Sequence, residues 1–209
     1  MRLSSAAILG AFLVVVFVIV AVYCGGQQSK PFYPYQKTYP FLRTLLENHE
    51  DLKEEVIGLH SALWKTWPDN KQESIYPMYG NGFWVESNCM ECKNLYNAIS
   101  TMPHLKTAFL SKRLKQEQTS SRSTYAFIAD NTLRCMYCFA GSGQINVDGE
   151  ERSVREKELV VYDHAKKHSF RNEQLEPQIV LLLDFSRPSW VKRGHSTNTT
   201  GISFMGHSF

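Results

Sequence analysis

The stretch from Glu158 to Asn172 reads Glu-Leu-Val-Val-Tyr-Asp-His-Ala-Lys-Lys-His-Ser-Phe-Arg-Asn. Its apolar, β-branched beginning predicts a buried strand that ends in a polar turn. Such a strand would carry Asp163, His164 and His168 to the place where it meets solvent. In a barrel of antiparallel strands, the mouth is where binding and catalytic side chains are usually found.

Two more strand candidates flank this stretch. Asn131–Phe139 is an apolar run upstream of it, and Pro177–Phe185 is an apolar run downstream. The pair Asp148-Gly149 is a turn signal between the first run and the central one. Short strands separated by turn signals are typical of two antiparallel sheets that close into a jelly-roll barrel. We therefore predict a mainly β fold with flanking helices (α+β).

Length and composition limit the number of domains and the kind of partner. A chain of 209 residues that is 43% apolar is long enough for one buried domain and an appendage. The formal net charge of +3 is too small to favour nucleic acid as a partner. We expect no nucleic-acid binding.

The appendage is N-terminal. After a short tail of residues 1–5, Ala6–Cys24 is an uncharged apolar run. As a helix, it approaches the roughly 30 Å of a bilayer core. We predict an uncleaved transmembrane signal-anchor. A cleaved signal peptide is the alternative, but its apolar core is usually shorter and Tyr23-Cys24 is a poor cleavage site.

The charges that flank this span do not fix its orientation, because Arg2 precedes it and Lys30 and Lys37 follow. Large C-terminal domains are translocated largely regardless of such charges. We therefore predict a single-pass type II membrane protein whose domain lies in the ER or Golgi lumen or outside the cell. Asn198-Thr199-Thr200 is a glycosylation sequon consistent with that side.

The segments next to the span and at the C-terminus lack periodicity. Residues 25–38 contain glycines, prolines and tyrosines and predict an irregular stalk between the span and the domain. Residues 191–209 are polar and predict a flexible tail. The folded domain is expected to occupy residues 39–190.

Within that domain, the first half is predicted to be helical. Apolar residues recur at threes and fours from Phe41 to Leu63, which predicts one amphipathic helix of about six turns covering a side of the barrel. His49 and His60 on it are expected at the surface or its boundary. Trp67–Trp84 is expected to be a long loop, and Cys89–Ile99 a short helix.

The five cysteines include two Cys-x-x-Cys pairs, Cys89/Cys92 and Cys135/Cys138. Their separation exceeds that of a zinc ribbon, and positions three apart in a strand point to opposite faces, which disfavours a four-thiolate zinc site. In an oxidising lumen, a disulfide from the Cys89/Cys92 segment is expected instead, with buried free thiols as the alternative.

A series of short motifs, in order along the chain, carries a resemblance to a known family. They are Tyr39-Pro40-Phe41-Leu42, Leu45-Leu46-Glu47-Asn48, Glu54-Glu55, Tyr79-Gly80, Met102-Pro103, Ala108-Phe109-Leu110-Ser111, Leu133-Arg134, Tyr162-Asp163, His168 and Asn172. Together they resemble the aspartyl/asparaginyl β-hydroxylase family, and the type II membrane arrangement is also similar. The resemblance spans about residues 39–190.

The resemblance implies a double-stranded β-helix, cupin-like, that binds Fe(II) and 2-oxoglutarate and hydroxylates Asp or Asn side chains of a lumenal or extracellular protein. Two histidines of the family hold the iron, since neutral imidazole nitrogens suit that metal. An arginine binds the far carboxylate of 2-oxoglutarate with its bidentate fork.

Some of these roles have a matching residue here. His168 matches the second iron-binding histidine, and Asp163 and Asn172 match its flanks. Ser111 falls where a serine helps to hold the cofactor, and Arg134 falls where an arginine lines the pocket. The resemblance therefore implies His168 as a metal ligand, and Ser111 and Arg134 as cofactor-binding residues.

Other roles are not matched. The first iron-binding histidine is replaced by Arg122, the histidine expected after Arg134 by Met136, and the clamping arginine by Gln178. A guanidinium stays charged and cannot bind iron as imidazole does. We therefore predict a catalytically degenerate member, with no required cofactor, that acts as a membrane-tethered binding or structural domain. In the simplest form of this prediction, Arg122 and Arg134 would bind an anionic group.

Two alternatives remain at this stage. The chain is an active hydroxylase if His164 replaces the missing iron ligand and Arg171 replaces the missing clamp. A cupin-like small-molecule binder or isomerase would share the barrel and the histidine followed by asparagine. This chain, however, lacks the upstream His-x-His expected of that class.

Overall fold

The computed structural model describes residues 29–67, 70–121 and 126–194. The predicted span Ala6–Cys24, Arg122 and the sequon at Asn198 lie outside these residues. Within the described ranges, no helix has both the length and the apolar character needed to cross a bilayer.

The first half of the described chain is mainly helical, and the second half is mainly strands. The first half contains β1 (Phe32–Tyr33), α1 (Tyr35–Thr38), a 3-10 turn (Pro40–Leu42), α2 (Arg43–Glu47), α3 (His49–Ile57), a 3-10 turn (Ser61–Leu63), β2 (Lys65–Trp67), β3 (Asn70–Gly80), β4 (Phe83–Trp84), α4 (Glu86–Glu91) and α5 (Lys93–Ser100). The second half contains β5 (Leu105–Arg113), β6 (Gln116–Ser121), α6 (Ala126–Asn131), β7 (Thr132–Ala140), β8 (Ser142–Val147), β9 (Glu150–Arg155), β10 (Leu159–Tyr162), β11 (His168–Asn172) and β12 (Gln178–Ser186).

These strands form two antiparallel sheets. The larger sheet has the order β1-β10-β7-β12-β5-β3-β2, with β4 paired to β3, and the smaller has the order β6-β11-β8-β9. From β5 to β12 successive strands alternate between the sheets, except that β8 and β9 are neighbours in the smaller sheet, which is the arrangement of a jelly roll. The prediction of a mainly β jelly-roll fold with flanking helices is confirmed. The predicted run Asn131–Phe139 corresponds to β7, and Pro177–Phe185 corresponds to β12. The central stretch Glu158–Asn172 contains two strands, β10 and β11.

The two faces of β7 belong to different cores. Cys135 and Tyr137 pack in the cluster that lies under the helices. Met136 and Cys138 pack in the cluster that lies between the two sheets. Because successive side chains of a strand alternate in direction, the barrel interior receives every second residue. The prediction that Cys135 and Cys138 face opposite sides is confirmed.

The predicted six-turn helix is wrong in two respects. It is interrupted at Asn48, which leaves the helical conformation, and its α-helical part ends at Ile57. His49 is buried rather than at the boundary, whereas His60 is exposed. The His49 Nδ1 lies 2.6 Å from the Tyr137 hydroxyl, which itself donates to the carbonyl of Leu45 at 3.0 Å. His49 Nδ1–H therefore donates to Tyr137 and joins helix to sheet.

Other local predictions are also corrected. The expected loop Trp67–Trp84 contains β3 and β4, because its aromatic residues pack beneath the helices. Part of the expected stalk is β1, where Phe32 pairs with Tyr162 at the edge of the larger sheet. The short helix expected at Cys89–Ile99 is present as α4 and α5. At the beginning of the expected flexible tail, Val191 is buried.

The four cysteines within the described residues are not paired. Cys89, Cys92, Cys135 and Cys138 are all free and buried, so the predicted disulfide from the Cys89/Cys92 segment is wrong for the part of the chain that the structure describes. Burial raises the pKa of Cys92 and of Cys138 to about 12. These thiols are therefore protonated at neutral pH and pack as small apolar groups.

Candidate functional site

His168 begins β11 and faces the barrel interior. Only 3% of it is exposed. Its Nδ1–H donates to the carbonyl of Lys166 at 2.8 Å, which leaves the lone pair on Nε2, and Nε2 has no hydrogen-bond partner in the described chain. Burial lowers the pKa of His168 to about 4. At neutral pH it is thus an uncharged imidazole with a free acceptor nitrogen, which is the form that a metal ligand requires.

His164 lies in the turn after β10 and is also buried. Its Nε2 is 2.8 Å from the hydroxyl of Thr132 and 3.8 Å from a carboxylate oxygen of Asp184. Its Nδ1 has no hydrogen-bond partner among the described residues. Burial lowers the pKa of His164 well below its usual value, so this imidazole is neutral as well.

Arg134 is held by Asp184, which lies directly opposite it on β12. The Arg134 Nε and Nη2 donate to the two carboxylate oxygens at 2.7 and 2.8 Å, and Thr107 donates to the same carboxylate at 2.6 Å. Burial alone would raise the pKa of Asp184, but the Arg134 charge outweighs it and lowers the pKa to about 2. Both groups are therefore charged, and each neutralises the other.

Ser111 and Arg113 are neighbours on the inner face of β5, and both bind Glu73 of β3. The Ser111 hydroxyl donates to Glu73 Oε1 at 2.5 Å, and Arg113 Nε donates to the same oxygen at 3.1 Å. The Arg113 guanidinium lies 3.9 Å from the centroid of the Phe170 ring. Burial alone would raise the pKa of Glu73, but Arg113 and the Ser111 hydroxyl lower it overall, so it is a carboxylate at neutral pH.

Neutral side chains fill the positions of the missing clamp and of the histidine expected after Arg134. Gln178 is buried opposite Arg113 and donates to the carbonyl of Val154 at 3.2 Å. Gly143 lies so close that a Cβ there would be 2.7 Å from Gln178 Oε1. Met136 places its sulfur 4.0 Å from Arg113 Nη1. These positions are packed rather than open.

The flanks of His168 have structural contacts. Asp163 forms a buried ion pair with Arg187, and its Oδ1 accepts from the backbone N–H of Ala165 at 3.1 Å. The Asn172 amide donates to the carbonyl of Arg113 at 3.0 Å and so fixes the end of β11 against β5. Asp163 and Asn172 therefore hold the two ends of the segment that carries His168.

The proposed substitute clamp does not reach the barrel interior. Phe170 faces inward, so Arg171 faces outward, where it binds Gln144 and lies near Glu151 at 3.5 Å. It borders an outer groove of about 210 Å³ on the smaller sheet. The alternative in which Arg171 takes the place of the missing clamp at Gln178 is therefore not supported, because strand alternation directs the Arg171 side chain away from the interior. Arg122 lies outside the described residues. The residue before it, Ser121, pairs with His168 across β6 and β11.

The arrangement does not fit iron and 2-oxoglutarate in the way the resemblance implies. Among the described residues, no group of three His, Cys, Asp or Glu side chains is placed to hold a metal ion. The donors that would bind a carboxylate are already bound to the chain's own carboxylates, Ser111 and Arg113 to Glu73 and Arg134 to Asp184.

Sequence reasoning missed three residues of this interior, and two of them left a signal. Strand alternation places Arg113 on the same face as Ser111, two residues away. Asp184 is a lone charge in an apolar strand, and such a charge needs a buried partner. Glu73 left no signal, because its strand was predicted to be a loop.

The two facing sheets, with a neutral histidine at the start of β11, define a cupin-like double-stranded β-helix protein. The sequence profile of the family described as "Aspartyl/Asparaginyl beta-hydroxylase" matches residues 46–188, which is more than half of the chain. The chain therefore belongs to this family, whose members are of the Fe(II)- and 2-oxoglutarate-dependent dioxygenase type. The family expected from the motifs is confirmed.

Solved structures with a similar fold are cupin domains of low sequence identity. A Cupin_2 domain of an XRE family transcriptional regulator from Enterobacter cloacae is 14% identical with a TM-score of 0.40, and the match covers 56% of this chain and 99% of that one. A Cupin 2 conserved barrel domain protein from Salinispora arenicola is 10% identical with a TM-score of 0.42, covering 61% and 85%. The Cnp3 cupin domain of Schizosaccharomyces pombe is 7% identical with a TM-score of 0.41, covering 63% and 71%. The comparison with curated proteins gave no match.

Proposed function

We propose that this chain is a catalytically degenerate member of its family, whose barrel serves as a binding or structural domain. The observation that supports this is the pairing of its interior cations. Arg113 and Arg134 each bind a carboxylate of the chain itself, Glu73 and Asp184. Of the residues that match the family's iron ligands, His168 alone remains an imidazole. One neutral imidazole is a weak iron site, and no described arginine is free inside the barrel for a dicarboxylate.

The proposal predicts that the full chain neither retains iron nor consumes 2-oxoglutarate. The chain would be purified anaerobically with Fe(II), in mild detergent because of its apolar N-terminal stretch. Iron content and succinate release would be measured beside those of His168→Ala. We expect the two proteins to be indistinguishable in both. Iron near one per chain, with succinate release that depends on His168, would contradict the proposal.

An active hydroxylase with rearranged ligands is the second candidate. It is supported by the two buried imidazole nitrogens without partners, Nε2 of His168 and Nδ1 of His164. If both bind iron, His164→Ala should abolish iron retention as fully as His168→Ala does. The same iron assay therefore separates the two candidates.

We also propose that Ala6–Cys24 anchors the domain in a membrane with the barrel on the lumenal or extracellular side, where a protein is its partner. The apolar length of the segment and the sequon at Asn198 support this arrangement. In eukaryotic cells, the full chain is then expected to be resistant to alkaline extraction and to lose mass on glycosidase treatment, with no such loss in Asn198→Gln. Release of the chain at alkaline pH would argue against the anchor.

A further inference from the structure

We propose that Glu73 is an internal ligand whose carboxylate fills an anion-binding pocket formed inside the barrel by Ser111 and Arg113. The pocket would take a small carboxylate if Glu73 were absent. This inference rests on the proposed function, since an active enzyme would need such donors for its cofactor. Its test nevertheless uses stability, so that the two proposals can fail separately.

The donors of this pocket belong to the barrel itself. Ser111 and Arg113 lie on β5, one of the eight strands of the jelly roll, and are 0% and 2% exposed. Arg113 is fixed from the other side by the ring of Phe170, 3.9 Å away. A buried guanidinium over an aromatic face, beside a buried hydroxyl, is an arrangement that stabilises an anion. The donors therefore have defined positions that do not depend on Glu73 alone.

The carboxylate, in contrast, comes from outside the barrel. β3 lies beyond β5 in the larger sheet, between β5 and the short strand β2, and Glu73 lies directly opposite Arg113 on it. The Glu73 side chain is 18% exposed, compared with 2% for that of Arg113. Both donors converge on one oxygen, Glu73 Oε1, at 2.5 and 3.1 Å. Glu73 thus enters the pocket from its rim, as a bound ligand would.

A buried cation explains why the pocket has to be filled. An unpaired guanidinium inside a protein is strongly destabilising, because it loses the solvation of water without gaining a counter-charge. Glu73 supplies that charge, and Arg113 in turn keeps Glu73 ionised by lowering its pKa against the opposing effect of burial. Loss of the Glu73 carboxylate should therefore leave a vacant site that attracts any carboxylate small enough to enter.

The test is chemical rescue of Glu73→Ala in the full chain. This substitution deletes a fragment of the size of acetate and is expected to lower the Tm by about 6–20 °C, given the cost of breaking a buried ion pair and a shift of roughly 2–4 °C per kcal/mol for a chain of this length. Acetate should then raise the Tm of the variant toward the wild-type value. Acetamide, which has the same shape without the charge, should not. A Tm of Glu73→Ala that responds equally to acetate and acetamide would overturn the proposal.

Two controls make the result specific. The double variant Glu73→Ala/Arg113→Met should lose the response to acetate, because the cation of the pocket is gone. Glu156→Ala removes a carboxylate from an exposed pair with Lys53, and its Tm should not depend on acetate. An acetate response in either control equal to that of Glu73→Ala would also overturn the proposal.

If Glu73→Ala fails to fold, Glu73→Gln provides a second test. The amide keeps the shape and an oxygen that accepts from Ser111, but it removes the charge. The Tm of Glu73→Gln should fall by several degrees, and an unchanged Tm would overturn the proposal. Succinate release by the wild-type chain would contradict the proposed function, whatever the response of these variants to acetate.

Discussion

Replacing Asp184 with Asn is expected to lower the free energy of unfolding by about 3–5 kcal/mol, because it leaves the Arg134 guanidinium, whose side chain is only 15% exposed, without a counter-charge. Asp184 is 1% exposed and accepts both bonds of the Arg134 fork. It also accepts from the Thr107 hydroxyl and lies near His164. An asparagine preserves the shape of the side chain, so the loss measures the charge rather than a cavity.

Urea unfolding of the full chain would measure this change. Glu150→Gln is the matched control, since its pair with Arg152 is about half exposed, and a loss of under 1 kcal/mol is expected there. Replacing both members, as Arg134→Met/Asp184→Leu, should recover much of the stability, because the unpaired charge is then removed. A loss of less than 1 kcal/mol for Asp184→Asn would show that the pair does not stabilise the barrel.

Acidification from pH 7 to pH 5 is expected to destabilise the folded chain by about 2 kcal/mol through His168 alone. The folded pKa of His168 is about 4, and its unfolded pKa is near 6.5. Between these values the unfolded chain binds a proton that the folded chain does not, so stability falls as the pH falls. The pKa of His164 is lowered in the same direction and adds to the loss. The lowered pKa of Asp184 adds a further loss only below about pH 4.

Unfolding free energies at pH 7 and pH 5 would test this. The variant His168→Asn keeps a donor for the carbonyl of Lys166 but has no titrating group, so the difference between the two pH values should shrink by about 2 kcal/mol. If His168→Asn shows the same pH dependence as the wild-type chain, burial does not hold His168 neutral.

Charges inside this barrel are compensated by other groups of the same chain. Its interior contains several charged groups, yet Arg113 and Arg134 each lie against a carboxylate of the same chain. His164 and His168 are neutral, since burial lowers the pKa of each. A barrel that binds an anionic cofactor needs unpaired positive charge inside it, which is costly without that cofactor. Internal pairing removes this cost.

Strand positions were predictable where the residues are β-branched and continuous. β7, β12 and β10 were found because a run such as Leu159–Tyr162 has few other ways to bury its side chains. β3 was missed because Pro77 and several polar residues interrupt its apolar pattern. The long helix was overpredicted, since spacing alone does not show that the chain leaves the helical conformation at Asn48.

The family, the jelly-roll class and the retention of His168 could all be predicted from the sequence, because they depend on motif order and on the local alternation of apolar residues. Which charges pair with one another became clear only from the fold. Glu73 and Arg113 are 40 residues apart in the chain, and Arg134 and Asp184 are 50 apart, yet each pair lies across adjacent strands. Such pairs depend on strand order and register, which are set by the closing of the whole barrel rather than by any local stretch.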